Sequence, residues 1–147
     1  MVFIIAVIIL SLDQLSKALI SKYLPLGQSV PLIKGIFHLS TVHNRGAAFG
    51  ILKNQVSIFL ITASLAIILI FLHLYKHRDK KFSLYSFSLG LILAGGLGNF
   101  IDRASFGYVI DFLDFRVWPV FNLADSSITI GAVLLGWHIL REQKCTR

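Results

Sequence analysis

Two aspartates fourteen positions apart, Asp111 in GYVIDF and Asp125 in FNLAD, flank a short connection that contains Pro119. A chain that folds back over that connection sets the two carboxylates against each other. Two carboxylates sharing a site do not both ionise easily, so one keeps a proton while the other acts as a base. Such a pair activates water against a peptide carbonyl without a metal or a covalent intermediate. Asp111 lies between Ile110 and Phe112, apolar neighbours that disfavour its charged form. Asp125 opens an apolar run, where a carboxylate costs roughly 2.5 to 3.5 kcal/mol at mid-bilayer and less toward the interface. Either a catalytic pairing or the stabilisation of an acid near a helix N-terminus offsets that cost. Capping alone leaves Asp111 unexplained.

The other acids sort by position. Asp79 falls in a basic loop and Glu142 in the tail, whereas Asp13, Asp102 and Asp114 accompany the pair. Asp13 and Lys17 are four apart on one helical face, in the favourable order. They are either a mutually neutralising pair that lets a helix insert or residues that position a loop over a site. In GNFIDR, Asn99 and Arg103 share a face at a helix end, and Arg103 is a fixed cation suited to a carboxylate or a peptide carbonyl. Asp102 reads as a partner of Arg103 or a water-facing acid. Asp114, two residues before Arg116, reads as solvated or locally paired, and an extended strand puts it on the opposite face from Asp111.

Competing chemistries find less support. None of the five histidines sits in an HExxH pattern, and the sole glutamate is in the tail. GxSxG is absent, and a serine–lysine dyad would need Ser16 or Ser21 beside Lys17 or Lys22 on one helix. No metal or cofactor is expected. Nucleic-acid binding is not supported, because the basic residues flank apolar runs.

Those runs set the architecture. The 147 residues are 56% hydrophobic and 14% charged, with a mean hydropathy of +0.78, too apolar for an ordinary soluble domain. A helix needs about 20 residues to cross the hydrocarbon core. The pattern predicts four spans, at about 3–23, 56–75, 84–101 and 121–140, in a single domain over 1–147. The first run lacks a basic leading region and a small-x-small cleavage site, which argues against a secretory signal. The single cysteine, Cys145, rules out an internal disulfide. Segment 24–55, with two prolines and several glycines, predicts short strands near Ile36 to His43 that rest on the membrane surface; the alternative is a mobile lid. Ser86, Gly90, Ala94 and Gly98 form a ridge of small residues for close helix approach, widened by Gly95 and Gly96, with Ala132 and Gly136 as the counterpart on the fourth helix.

The net charge is +7. KHRDKK, residues 76–81, packs four basic residues next to two spans, which the positive-inside rule reads as cytoplasmic together with both termini. The aspartate pair then lies near the outer face. A small proton- or cation-coupled transporter is the alternative from another class, but its acids would be spread over several depths, whereas Asp102, Asp111, Asp114 and Asp125 cluster on one side.

Five blocks in order, DQLSK at 13–17, NRGAAFG at 44–50, GGLGNFIDR at 95–103, GYVIDF at 107–112 and FNLADSSITIG at 121–131, give a chain that resembles the bacterial lipoprotein signal peptidases, or signal peptidase II, over nearly its whole length. The resemblance implies a membrane all-α fold with a small β element: four transmembrane helices with extracytoplasmic β-structure and a loop over the active site. It implies an aspartyl endopeptidase of the bacterial plasma membrane that removes the signal peptide of diacylglyceryl-modified prolipoproteins just before the lipid-bearing cysteine. The family's catalytic aspartates map onto Asp111 and Asp125, and its supporting polar residues onto Asp13, Lys17, Asn44, Gly46, Asn99, Arg103 and Asn122. Membrane lipid and prolipoproteins are the implied partners, and the cyclic peptide globomycin the implied inhibitor.

Overall fold

Hydrophobic runs punctuated by glycine, proline and polar residues resolve into four helices and a three-stranded sheet. The computed structural model describes residues 1–46, 55–79 and 81–145. Residues 47–50 of the NRGAAFG block, the end of the 24–55 segment, Lys80 and the last two residues of the tail lie outside the described residues. The elements are α1 (Val2–Tyr23), β1 (Ser29–Ile33), β2 (Phe37–Asn44), α2 (Val56–Lys76), α3 (Leu84–Phe106), β3 (Val109–Asp114) and α4 (Leu123–Cys145).

All four helices are long and apolar enough to cross a membrane; 22 residues, the length of α1, rise about 33 Å. Ile61, Leu65, Val133 and Trp137 are among many large apolar side chains left exposed, the arrangement expected of surfaces whose solvent is lipid. Inside, α3 is central, packing against α1, α2 and most extensively α4. Ser83 caps its start through a reciprocal bond with Ser86, and Gly107, at φ 76°, ends it in a left-handed turn that glycine adopts without a Cβ penalty. Because Gly107 supplies the stop, α3 runs five residues past the end expected at 101. The polar GNFIDR segment is therefore helical throughout.

The small residues of α3 serve three neighbours rather than one ridge. A Cβ at Gly90 would lie 2.7 Å from Val2 Cγ1 of α1, one at Gly95 would collide with Ala124 O and Ser127 Oγ of α4, and one at Gly96 would meet Ile67 of α2 at an ordinary 3.5 Å. The counterpart on α4 is not Ala132 and Gly136. Ala132 is exposed and nothing lies within 4 Å of a Cβ at Gly136, whereas a Cβ at Gly131 would lie 2.7 Å from Ser88 O. Residue 131 faces α3, and 132 and 136 are turned away from it. At Gly98 an added Cβ would sit 2.5 Å from Asp13 Oδ2 and 3.2 Å from Ala124 Cβ. Gly98→Ala is accordingly expected to cost about 1–3 kcal/mol through overpacking, read as a lower melting temperature in detergent, while Gly96→Ala melts close to wild type; equal melting of the two variants would contradict this packing.

The sheet has the order β1-β2-β3, antiparallel throughout. β2 realises a strand expected near Ile36 to His43, and β1 precedes it in the same 24–55 segment. The third strand comes from beyond α3: Val42 pairs with Asp111, His43 with Ile110 and Asn44 with Val109. Thr41 Oγ1 donates to Leu24 O at 2.8 Å, and the Gly27 N–H to Thr41 O at 2.9 Å. These bonds stitch the end of α1 to the sheet.

Candidate active site

The site forms where the C-terminal half of α3, the start of α4 and strand β3 meet. Asn122 immediately precedes α4 and is its N-cap: its Oδ1 accepts the Asp125 N–H at 2.9 Å, and its own N–H donates to Asp125 Oδ2 at 3.3 Å. This reciprocal arrangement is a capping box, so Asp125 does cap α4. Its other oxygen, Oδ1, accepts Asn99 Nδ2 at 2.8 Å. Capping and membership of a polar site are thus both met by one side chain.

Asn122 also ties Asp125 to Asp111. Its Nδ2 donates to Asp111 Oδ1 at 2.6 Å and also lies 3.1 Å from Asn99 Oδ1. From the sheet, Asn44 Nδ2 donates to Asp111 Oδ2 at 2.9 Å. Asn44 Oδ1 accepts the Gly46 N–H at 2.9 Å, and Gly46 O accepts Arg103 Nη2 at 3.1 Å. Arg103 also stacks over the Phe59 ring at 4.6 Å. Asn44, Gly46, Asn99, Arg103, Asp111 and Asp125 line one cleft of about 380 Å³.

The two extended-chain acids differ in environment. Burial first, and then the Asp125 charge, push Asp111 up to about 7, against the opposing pull of Asn44, Asn122 and Lys17. Burial also pushes Asp114 up, but Ser40 Oγ and the backbone and guanidinium of Arg116 outweigh it and hold its carboxyl below the usual range. Asp114 is therefore locally paired, as expected, and buried rather than solvated. Only Asp111 of these two enters the cleft.

Beneath the cleft lies a buried ion cluster. Asp13 and Lys17 are 0% and 2% exposed, and they pair at 2.8 Å. Lys17 Nζ also contacts Asp102 Oδ2 at 3.0 Å and donates to Asn99 Oδ1 at 3.2 Å, using all three ammonium donors. The reading of Asp102 as a partner of Arg103 or of water is thus corrected. In a helix, consecutive side chains diverge by about 100°, so Asp102 turns inward to α1 while Arg103 turns to Gly46 and the cleft.

The two carboxylates of this cluster hold backbone on either side of the site. Asp13 Oδ1 accepts the Ala124 N–H at 2.9 Å, one residue before Asp125. Asp102 Oδ2 accepts the Ile110 N–H at 3.1 Å, one residue before Asp111. Asp13 and Lys17 are therefore a buried, mutually neutralising pair, and Asp13 also holds the backbone at the start of α4. Gln14, passed over in DQLSK, completes the cluster by donating to Asp102 Oδ1 at 3.0 Å and lying 3.2 Å from Asp13 Oδ2. Its i, i+3 spacing from Lys17 on α1 is the available signal. Trp118 lines the cleft as well, and no spacing rule points to it. Among the described residues, no three His, Cys, Asp or Glu side chains are arranged to hold a metal ion.

Known proteins are similar in fold and sequence. A family model described as signal peptidase (SPase) II matches residues 5–141. The lipoprotein signal peptidase of Halothermothrix orenii is 46% identical over 144 residues, covering 98% of each chain. That of Moorella thermoacetica is 47% identical over 137 residues, covering 92% of this chain and 90% of its own. Two solved bacterial membrane enzymes superpose with TM-scores of 0.91 and 0.83, at 31% and 33% identity, over 99% and 95% of this chain and 91% and 92% of theirs. With four membrane-length helices and such neighbours, this is a multi-pass membrane protein, and the chain belongs to the signal peptidase II family.

Proposed function

We propose that this protein is an aspartyl endopeptidase that cleaves the signal peptide from diacylglyceryl-modified prolipoproteins immediately before the lipidated cysteine. The observation that carries the reading is the Asp111–Asn122–Asp125 arrangement: two carboxylates facing one cleft and linked through one residue, Asn122, whose side-chain amide donates to Asp111 and whose backbone N–H donates to Asp125. Family membership supports the substrate class. The runner-up, a proton or cation path, would place acids along the bundle, whereas Asp111 and Asp125 share a cleft and Asp13 and Asp102 are spent on Lys17.

Asp111, held protonated near neutral pH by burial, leaves Asp125 as the base. Asp125 takes a proton from water as its oxygen attacks the scissile carbonyl, and Asp111 gives its proton to the carbonyl oxygen. The resulting gem-diol collapses as Asp125 gives its proton to the departing amine nitrogen and Asp111 takes one from a diol hydroxyl, which breaks the C–N bond, leaves a carboxylic acid and restores the pair. Arg103 and Asn44, on the cleft wall, orient the peptide backbone. A signal peptide is an apolar helix and the modified cysteine carries acyl chains, so both partition into lipid while the scissile bond lies at the interface. A cleft at the end of two membrane helices meets that bond at the right depth. The positive-inside bias supports both termini in the cytoplasm and the cleft near the outer face of the bacterial plasma membrane. Globomycin is expected to inhibit.

The test is cleavage of a diacylglyceryl-modified prolipoprotein by purified enzyme, with products identified by mass spectrometry. A single cut leaving the lipidated cysteine as the new N-terminus is expected; proton-coupled flux in liposomes without cleavage would favour the transporter.

The environment of Asp111 gives a pH dependence. Its proton is retained up to about 7, so kcat/KM, which reports the free enzyme, is expected to fall on the alkaline side with an apparent pKa of about 7 belonging to the pair. The Asn44 bond favours the ionised form of Asp111. In Asn44→Ala the alkaline limb therefore moves to higher pH, and an unmoved limb would contradict the assignment of the proton.

A further inference from the structure

At the other end of the bundle, about 21 Å away by the rise of α3 from Tyr85 to Asn99, α1, α2 and α3 enclose a second cavity of about 460 Å³. Its size is within the range of ligand pockets, about 300–1,000 Å³. Val2, Phe3 and Phe82 supply apolar wall, and Arg78, Lys81 and His73 stand among its lining. Arg78 stacks on the Tyr75 ring at 4.4 Å and donates one Nη1 bond to Tyr75 O at 3.4 Å, which leaves further guanidinium donors for an anion. Asp79, beside them in sequence, makes no ion pair with Arg78 or Lys81 among the described residues. Ser83 and Ser86 close their own capping box, so the start of α3 is already satisfied. The basic side chains supply the charge.

We infer that this cavity binds an acidic glycerophospholipid of the adjoining leaflet, with its phosphate on Arg78 and Lys81 and an acyl chain along Val2, Phe3 and Phe82. Charge complementarity selects an anion. The apolar wall at the end of three membrane-length helices selects one with a hydrocarbon tail, since a soluble phosphate would leave that wall uncovered. Basic residues beside a span attract anionic lipid generally, but the cavity fixes a particular place for it.

The test is native mass spectrometry of the full-length protein in detergent with phosphatidylglycerol or phosphatidylcholine of matched acyl chains. Phosphatidylglycerol is expected to be retained about tenfold better. Arg78→Gln/Lys81→Gln should lower its retention about 25-fold, at roughly fivefold per basic residue, with melting temperature and cleavage rate unchanged. Lys22→Gln/Lys34→Gln, which removes equal charge from residues that do not line the cavity, should retain the lipid. Equal retention of the two lipids, equal loss in both double variants, or displacement by millimolar inorganic phosphate would each overturn the lipid assignment.

Discussion

Asp111→Asn and Asp125→Asn each lose cleavage by about 10³-fold in kcat, within the 10² to 10⁴ range of a single acid or base, while the fold persists. Asparagine matches aspartate in shape, and its amide oxygen keeps one of the two bonds that each carboxylate accepts, from Asn122 or Asn44 at position 111 and from Asn99 or the Asn122 N–H at position 125. What it cannot do is take a proton from water at position 125 or hold a transferable one at position 111. The loss should therefore fall on kcat with KM near wild type, while the melting temperature drops only by the cost of one lost hydrogen bond, about 1–3 kcal/mol. Asp114→Asn is the control, since Asp114 pairs with Ser40 and Arg116 away from the cleft, and it is expected to cleave at the wild-type rate. Turnover at the wild-type rate in either Asp111→Asn or Asp125→Asn would remove that residue from the chemistry.

Lys17→Met is expected to destabilise the protein most. Removing the ammonium leaves Asp13 and Asp102 buried without their cation, and breaking a buried ion pair by removing one partner costs about 3–5 kcal/mol. Met keeps the volume, so the loss is electrostatic. Two consequences separate the charge from mere packing. The double variant Lys17→Met/Asp13→Asn should melt higher than Lys17→Met alone, because one buried charge has gone. Activity should fall even where the fold survives, because Asn99 Oδ1 loses a donor and the grips on the Ala124 and Ile110 N–H groups weaken. A Lys17→Met protein that melts and cleaves like wild type would show that the cluster is ornamental.

Much of this was legible from local pattern. Apolar run lengths mark the helices, and the recurrence of acids near one end of the bundle points to Asp111 and Asp125. Asn44, Gly46 and Asn122 entered through family resemblance, since an asparagine carries no spacing signal of its own. Asp102 was misread for a definite reason. Its nearest cation in sequence is Arg103, but its partner Lys17 stands 85 residues away, and local spacing cannot show a pairing made across a helix interface. Ala132 and Gly136 fail in the same way, because small residues at helical spacing reveal a face without revealing which neighbour it meets. β3 joins the sheet through Asn44 and Val42, across the whole length of α2 and α3, and nothing in its partial alternation names that partner.

The ion cluster also dictates when the enzyme can become active. Asp13 and Lys17 belong to the first helix, Asp102 to the third, and the Ala124 N–H that Asp13 holds opens the last. Asp125 arrives with that last helix, after Asn44, Gly46, Asn99, Arg103 and Asp111 of the cleft have been synthesised. In the proposed mechanism, a chain still threading into the bilayer therefore lacks the pair and does not cut neighbouring membrane segments, its own included. On that reading, completion of the fourth helix is the activation step.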